Sequence, residues 1–344
     1  MAGQGDEDRM AGTARKDSPV FVIGCHRSGT ALLYDSLLSA GGFPLYHAAP
    51  FLHSTLLPMA GNLSVRRNRE RMMQIWLRSK PFRRTGLDAE ELRSRVVQEC
   101  KSGGDFLRIT LGELARRAGV QRWASYDIDN IMHMPAIKRE VPDALFVHVV
   151  RDGRDAALSM KKQHASDHLW WAQERALYAW ALLWQWTVQK GRRCGKRFPA
   201  DYLEVRYEDL VREPEPTLRA VGEFLDHDLD YARIQQNGIG RVASPNTVWK
   251  EESSPETFSS IDRWKSKLSP SEIAALEHLI GDCLQEFGYS VTTGPRGSVP
   301  FDPKLSLMRS VYPRYFDAKL FAKSRTVLGR LLVNGERLEL TAAV

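Results

Sequence analysis

Apolar runs and helical periodicities alternate along most of the 344-residue chain. "PVFVIG" (19–24) is an unbroken apolar run of the kind found in buried strands. The segment after it, "GTALLYDSLLSAGG", has a helical pattern closed by glycines. "FPLYH" (43–47) predicts a second strand, followed by a long, basic, mostly helical stretch to about residue 119. "RWASYDI" (122–128), "DALFVHVV" (143–150) and "DYLEVRY" (201–207) predict three more strands. Between the last two lie a turn-to-helix segment, "RDGRDAALSMKK", and a long Trp-rich helix over 169–190. "EPTLRAVGEFLD" and "SPSEIAALEHLIGDCLQEFGY" read as capped amphipathic helices. Strands that alternate with helices predict an α/β fold of three layers. Its centre is a roughly five-stranded parallel sheet flanked by helices, with ligands bound at the strands' C-terminal ends.

The organisation expected from this pattern is a disordered polar leader (1–18), one domain (19–292) and a basic C-terminal extension (293–344). Hydrophobic content of 43% and charged content of 26% are those of a globular protein. The 49 basic and 42 acidic residues leave a net charge of +7, much of it concentrated in residues 64–84 and after Pro303. That distribution favours an anionic ligand over nucleic acid, which requires a denser basic stripe. The segment 64–84 itself reads as a solvated helix face. Cys25, Cys100, Cys194 and Cys283 are far apart, so neither a disulfide framework nor a zinc site is expected. The polar N-terminus lacks a signal-peptide pattern, and "ALYAWALLWQW" (176–186) is too short to span a bilayer. A cytoplasmic protein is the expectation. Trp170, Trp171, Trp180, Trp184 and Trp186 are expected to pack in the core.

The candidate chemistry begins in "FVIGCHRSGTALLYDSLL" (21–38). Gly24 and Gly29 have the spacing of a phosphate-binding P-loop, but Thr30 and Ala31 replace its lysine and its magnesium-binding hydroxyl. Backbone N–H groups at such a helix start still attract an anion. Arg27, Ser28 and Thr30 add a guanidinium and two hydroxyls, a set suited to a terminal anion held without a metal. "FVHVVRDGRDAALSM" puts Arg151 at a strand end and Ser159 on the next helix, where both can converge on a phosphate. "YLEVRYEDL" brings Tyr207 to a third strand end.

Together these segments resemble the sulfotransferases that use 3′-phosphoadenosine-5′-phosphosulfate (PAPS), over roughly residues 19–290. The style of the motifs is that of bacterial and tyrosylprotein sulfotransferases, which have a P-loop-type fold. "GCHRSGTALL" resembles the 5′-phosphosulfate loop, "RDGRDAALS" the 3′-phosphate motif, and "VRYEDL" the segment whose Tyr lies beside the nucleotide. "IDRWKSKLSPSEIAALEHLIGDCLQEFGY" (261–289) resembles a C-terminal segment in which a cation, here Arg263, reaches the nucleotide. The resemblance implies that Arg27 faces the bridging oxygen and that Ser28, Gly29 and Thr30 hold the 5′-phosphate. Arg151 and Ser159 would hold the 3′-phosphate, with Tyr207 beside the nucleotide. It also implies sulfuryl transfer from PAPS, without a metal, to a hydroxyl or amine acceptor, leaving PAP.

Two family positions differ. The usual lysine at the end of the strand that precedes the "RDGRD" strand is replaced by Tyr126, followed by Asp127 and, close by, Asp129. The glutamate expected after the second strand is missing, and only His47 and His53 stand there. Asp127 is the expected general base, with His47 as runner-up. A non-catalytic protein that holds nucleotide or glycan is the alternative, and a P-loop kinase ranks below it. The acceptor, whether small molecule, glycan, lipid or peptide, is not legible; residues 48–105 and 163–175 are its candidate loops. The mixed basic and apolar tail after Pro303 suits packing on the domain, contact with a membrane surface or contact with a partner.

Overall fold

The computed structural model describes residues 15–163, 175–243, 259–293, 302–326, 333 and 335–340. Of the expected leader, residues 1–14 lie outside the described residues, as do Trp170 and Trp171.

Four parallel strands form one sheet in the order β2-β1-β3-β4. They are β1 (Val20–Gly24), β2 (Ala124–Ser125), β3 (Leu145–Val150) and β4 (Tyr202–Arg206). Successive residues of β1 are all buried, on faces that alternate with the period of the pleat. Val20 and Val22 pack with the helices α1 (Thr30–Ala40) and α9 (Pro214–Leu225) on one face. Phe21 and Ile23 pack on the other face, against a core that includes α2 (Arg66–Trp76), α3 (Ala89–Glu99), α4 (Gly103–Arg117) and α5 (Asn130–Glu140). Strands covered on both faces read as continuous apolar runs, which is why β1 and β3 were legible. A third apolar cluster joins α6 (Gly153–Gln163), α7 (Ala176–Gly195), α12 (Pro270–Glu286) and the C-terminal helix α13 (Pro303–Arg325).

The sheet therefore has four strands among the described residues, and the expected fifth, residues 43–47, is not a strand. Phe43 and Tyr46 are buried while Leu45 is 65% exposed, a spacing of three that no flat strand produces. Positive φ at Gly41 (86°) and Gly42 (80°) turns the chain, and the Tyr34 hydroxyl, bonded to the Tyr46 carbonyl (2.7 Å), pins the loop. The strand expected over 122–128 shortens to Ala124–Ser125. The tail packs on the domain: Leu305, Met308 and Tyr312 of α13 are buried against the third cluster. Among the described residues, no helix is long and apolar enough to cross a membrane.

Register decides where the chemistry gathers. Gly24 pairs with Val149, and Val150 pairs with Arg206, so β1, β3 and β4 end at one edge of the sheet. The loop 25–29, Arg151 and Tyr207 all emerge there.

Candidate active site: two cavities around one loop

Between β1 and α1, the loop adopts backbone conformations that side chains usually avoid. Arg27 has φ 64° and Gly29 φ 93°. Left-handed residues at a helix start turn successive N–H groups toward one point, a concavity suited to anions. Gly29 caps α1 without any side-chain hydrogen bond, leaving first-turn N–H groups for a ligand.

Around this loop lies a cleft of about 750 Å³, within the range of ligand sites. Arg27, Gly29, Thr30, Arg151, Ser159 and Tyr207 line it together. Arg27 Nε donates to Ser159 Oγ at 3.0 Å, joining the β1 loop to α6. Arg151 donates to the carbonyls of Arg27 (2.9 Å) and Ser260 (2.6 Å), and its guanidinium lies 4.8 Å from the Tyr207 ring centre. Arg263, which opens α11 (Trp264–Lys267), closes the far side and donates to the Ser259 carbonyl. The lining also includes Arg212 and Arg241, so five arginines face one carboxylate, Asp262. Asp262 pairs with Arg212 at 2.8 Å. Burial lowers the Arg27 pKa, and the Arg151 and Arg241 charges lower it further. Such crowding of cations is relieved by a bound anion. Two buried polar atoms point the same way: Ser28 Oγ and Arg151 Nε have no hydrogen-bond partner among the described residues.

Side chains to which the sequence assigned no role at the site fix these motif residues in place. Trp184 of α7, fully buried, donates to the Arg151 carbonyl at 2.9 Å. Glu208 accepts from the Asp152 N–H (2.9 Å) and the Tyr289 hydroxyl (2.9 Å), tying β3, β4 and the chain after α12 together. Arg154 is buried against Asp152 (2.7 Å) and Glu277 (2.5 Å), and its guanidinium lies 3.6 Å from the Trp264 ring centre. Asp155 accepts from the Trp264 N–H at 2.9 Å, which sets the position of Arg263. Desolvation raises the Asp155 pKa to about 6.

The pattern of the sulfotransferase family matches residues 19–231, more than half of the chain. The chain belongs to the sulfotransferase family. Two solved structures share its fold. One is the sulfotransferase domain from the Synechococcus PCC 7002 olefin synthase, with 20% identity, TM-score 0.52, and coverage of 80% of this chain and 96% of that one. The other is the sulfotransferase domain from the curacin biosynthetic pathway, with 18% identity, TM-score 0.52, and coverage of 79% and 98%. No curated protein sequence matches significantly.

On the other side of this sulfotransferase loop lies a second cavity, of about 300 Å³, that the sequence did not announce. His26, adjacent in the chain to Arg27, lines it together with His53, Asp129 and His133. His53 and His133 stack with ring centres 5.5 Å apart. Burial, reinforced by the stacked His53, pushes the His133 pKa down to about 4. Trp184 and Trp186 are buried as expected and Trp180 packs, partly buried, against the third apolar cluster; Trp180 and Trp186 also line this cavity.

Neither expected base lines either cavity. Asp127 is 1% exposed, and its Oδ1 accepts the Asp129 N–H at 3.1 Å. His47 Nδ1 lies 3.3 Å from Asp35 Oδ1. Asp35 also accepts the Arg241 N–H at 2.6 Å. Of the carboxylates in the Tyr126–Asp129 segment, Asp129 is the one at a cavity wall.

Proposed function

We propose that the protein is a PAPS-dependent sulfotransferase, with donor and acceptor on opposite sides of the loop 25–29. The observation that carries this reading is the convergence of Arg27, Ser159, Arg151 and Tyr207 on one cleft dominated by arginine. When bound, PAPS would supply a sulfuryl group whose bridging S–O bond breaks as the acceptor oxygen bonds to sulfur, leaving the electron pair on the 5′-phosphate of PAP. The chain's task is to position both partners and to neutralise that developing charge.

Ser28, Gly29 and Thr30, with the open first turn of α1, suit the 5′-phosphate. Arg151 and Ser159 suit the 3′-phosphate, and Arg263 the far side of the nucleotide. Arg27 donates to Ser159 and is adjacent in the chain to His26 of the second cavity, so its cation suits the bridging oxygen on which charge develops. The acceptor's proton would pass to the group formed by His26, His53, His133 and Asp129. Within it, His133 is neutral at pH 7 because burial holds its pKa at about 4, so its ring keeps a free lone pair. An anion bound across the loop would raise that pKa toward neutrality and make the ring a stronger base.

The test pairs binding with turnover. PAP in the presence of EDTA should stabilise the fold by about 2.7 kcal/mol at a hundred times its dissociation constant. Radiolabelled PAPS should then transfer label to hydroxyl compounds. A melt that shifts only with ATP and magnesium would return the chain to kinase chemistry. PAP binding without transfer to any acceptor would make it a binding protein.

A further inference from the structure

The second cavity lies partly outside the family-matched residues 19–231, because its outer wall is the C-terminal helix α13. Tyr312, Tyr315 and Phe316 of that helix line the space together with Trp180 and Trp186 of α7. The ring centres of Trp186 and Phe316 are 5.4 Å apart, and those of Tyr312 and Phe316 5.7 Å. This wall is anchored to the domain. Asp317 accepts from Trp186 Nε1 (3.1 Å) and pairs with Lys190 of α7 at 2.7 Å. The polar lining is of two kinds. His53 is buried, its Nε2 lies 3.9 Å from Glu140 Oε2, and neither ring nitrogen makes a hydrogen bond among the described residues. Lys319 and Lys323, one turn apart on α13, line it as well, and Lys319 is exposed. Asp129, grouped with the histidines, is the one carboxylate among the described lining residues. Among the described residues, no group of histidine, cysteine and carboxylate side chains is arranged to hold a metal ion.

We infer that the acceptor is a small hydroxyl compound with a flat apolar body and an anionic substituent, held between α7 and α13. This rests on the sulfotransferase reading. The hydroxyl points to the histidines beside His26, the rings stack on the Trp and Tyr faces, and the anionic group meets the lysines of α13. Aromatic walls favour flat bodies, because offset and edge-to-face ring contacts add to plain burial. The cavity is at the small end of the range for ligand sites and fits a small molecule rather than a folded chain. On this assignment the C-terminal extension is the wall that selects the acceptor.

Calorimetric titration of the full chain, saturated with PAP, tests the assignment with two probes, 2-naphthol and 6-hydroxy-2-naphthoate. Both should bind, the naphthoate about tenfold more tightly at low salt. Substituting Lys319→Gln and Lys323→Gln together should close most of that gap. Leu320→Trp, which fills the cavity, should weaken both probes by about tenfold or more. A PAP isotherm on the same variant reports that its fold is intact. If PAP binds and neither probe does, the acceptor assignment is wrong and the donor reading stands. Equal affinity for the two probes, or probe binding unaffected by Leu320→Trp, also overturns the assignment. If PAP itself fails to bind, the sulfotransferase reading falls and takes the acceptor class with it.

Discussion

A Cβ placed on Gly29 would sit 2.2 Å from Cδ2 of Tyr207, so the donor loop and the end of β4 are in contact at a point that admits no side chain. The φ of 93° at Gly29 would also strain an alanine by ~1–2 kcal/mol. Gly29→Ala should therefore lose PAP binding while the sheet survives. Adding Tyr207→Ala should recover only part of the loss, because the backbone strain remains. Isotherms for PAP on the single and double variants check this, and full recovery in the double variant would show that φ carries no cost.

The two arginines of "RDGRD" should separate cleanly. Arg151→Ala should weaken PAP by about 1.5–3 kcal/mol while nearly sparing adenosine 5′-phosphosulfate, which has no 3′-phosphate. Arg154 faces away from the cleft, into the Asp152 and Glu277 carboxylates. Removing it leaves buried charges uncompensated, and Arg154→Ala should cost about 3–5 kcal/mol in a urea melt. Equal losses of both ligands in Arg151→Ala would make that residue a scaffold too.

Proton transfer divides Asp127 from His133. Asp127→Asn keeps an oxygen to accept the Asp129 N–H, so turnover should stay within about fivefold of wild type. His133→Ala should lose ~10²–10⁴-fold with unchanged PAP affinity. The reverse pattern would restore Asp127 as the base.

Stability should also report His133. Its pKa is about 4 in the fold against 6.5 in the unfolded chain, so the unfolded chain takes up the proton first as pH falls. The fold is unaffected by this group above about pH 6.5 and loses stability progressively between there and about pH 4. The full loss is about 3 kcal/mol. Urea midpoints for wild type and His133→Gln, compared across that window, should diverge by this order. Parallel curves would mean that His133 titrates normally.

The donor cleft was legible because its residues stand at fixed offsets from strand ends, and a parallel sheet turns such offsets into proximity. Arg27, Ser159, Arg151 and Tyr207 came together for that reason. Arg154 and Glu208 were missed, and Trp184 was read only as a core residue, because their partners are distant in sequence and nothing local marks them. Residues 43–47 misled because Phe43 and Tyr46 anchor a loop, and anchoring residues are as apolar as strand residues. The second cavity was out of reach for a different cause. His26, His53 and His133 come from three segments, and α13 closes over them only through tertiary packing. A histidine inside the glycine loop was the single local sign, and the loop pattern tolerates any residue there.

His26 and Arg27 are consecutive, yet they face different cavities, and the left-handed turn at Arg27 accompanies that change of side. One peptide unit thus joins a lining residue of each chamber. A rotation of that unit cannot improve the fit on one side without altering the other. Occupancies of the two chambers are then thermodynamically linked, and linkage is symmetric: whatever factor one ligand imposes on the other's affinity is returned unchanged. The loop is consequently a site of crosstalk as much as of binding, and substitutions at either residue should be felt in both chambers.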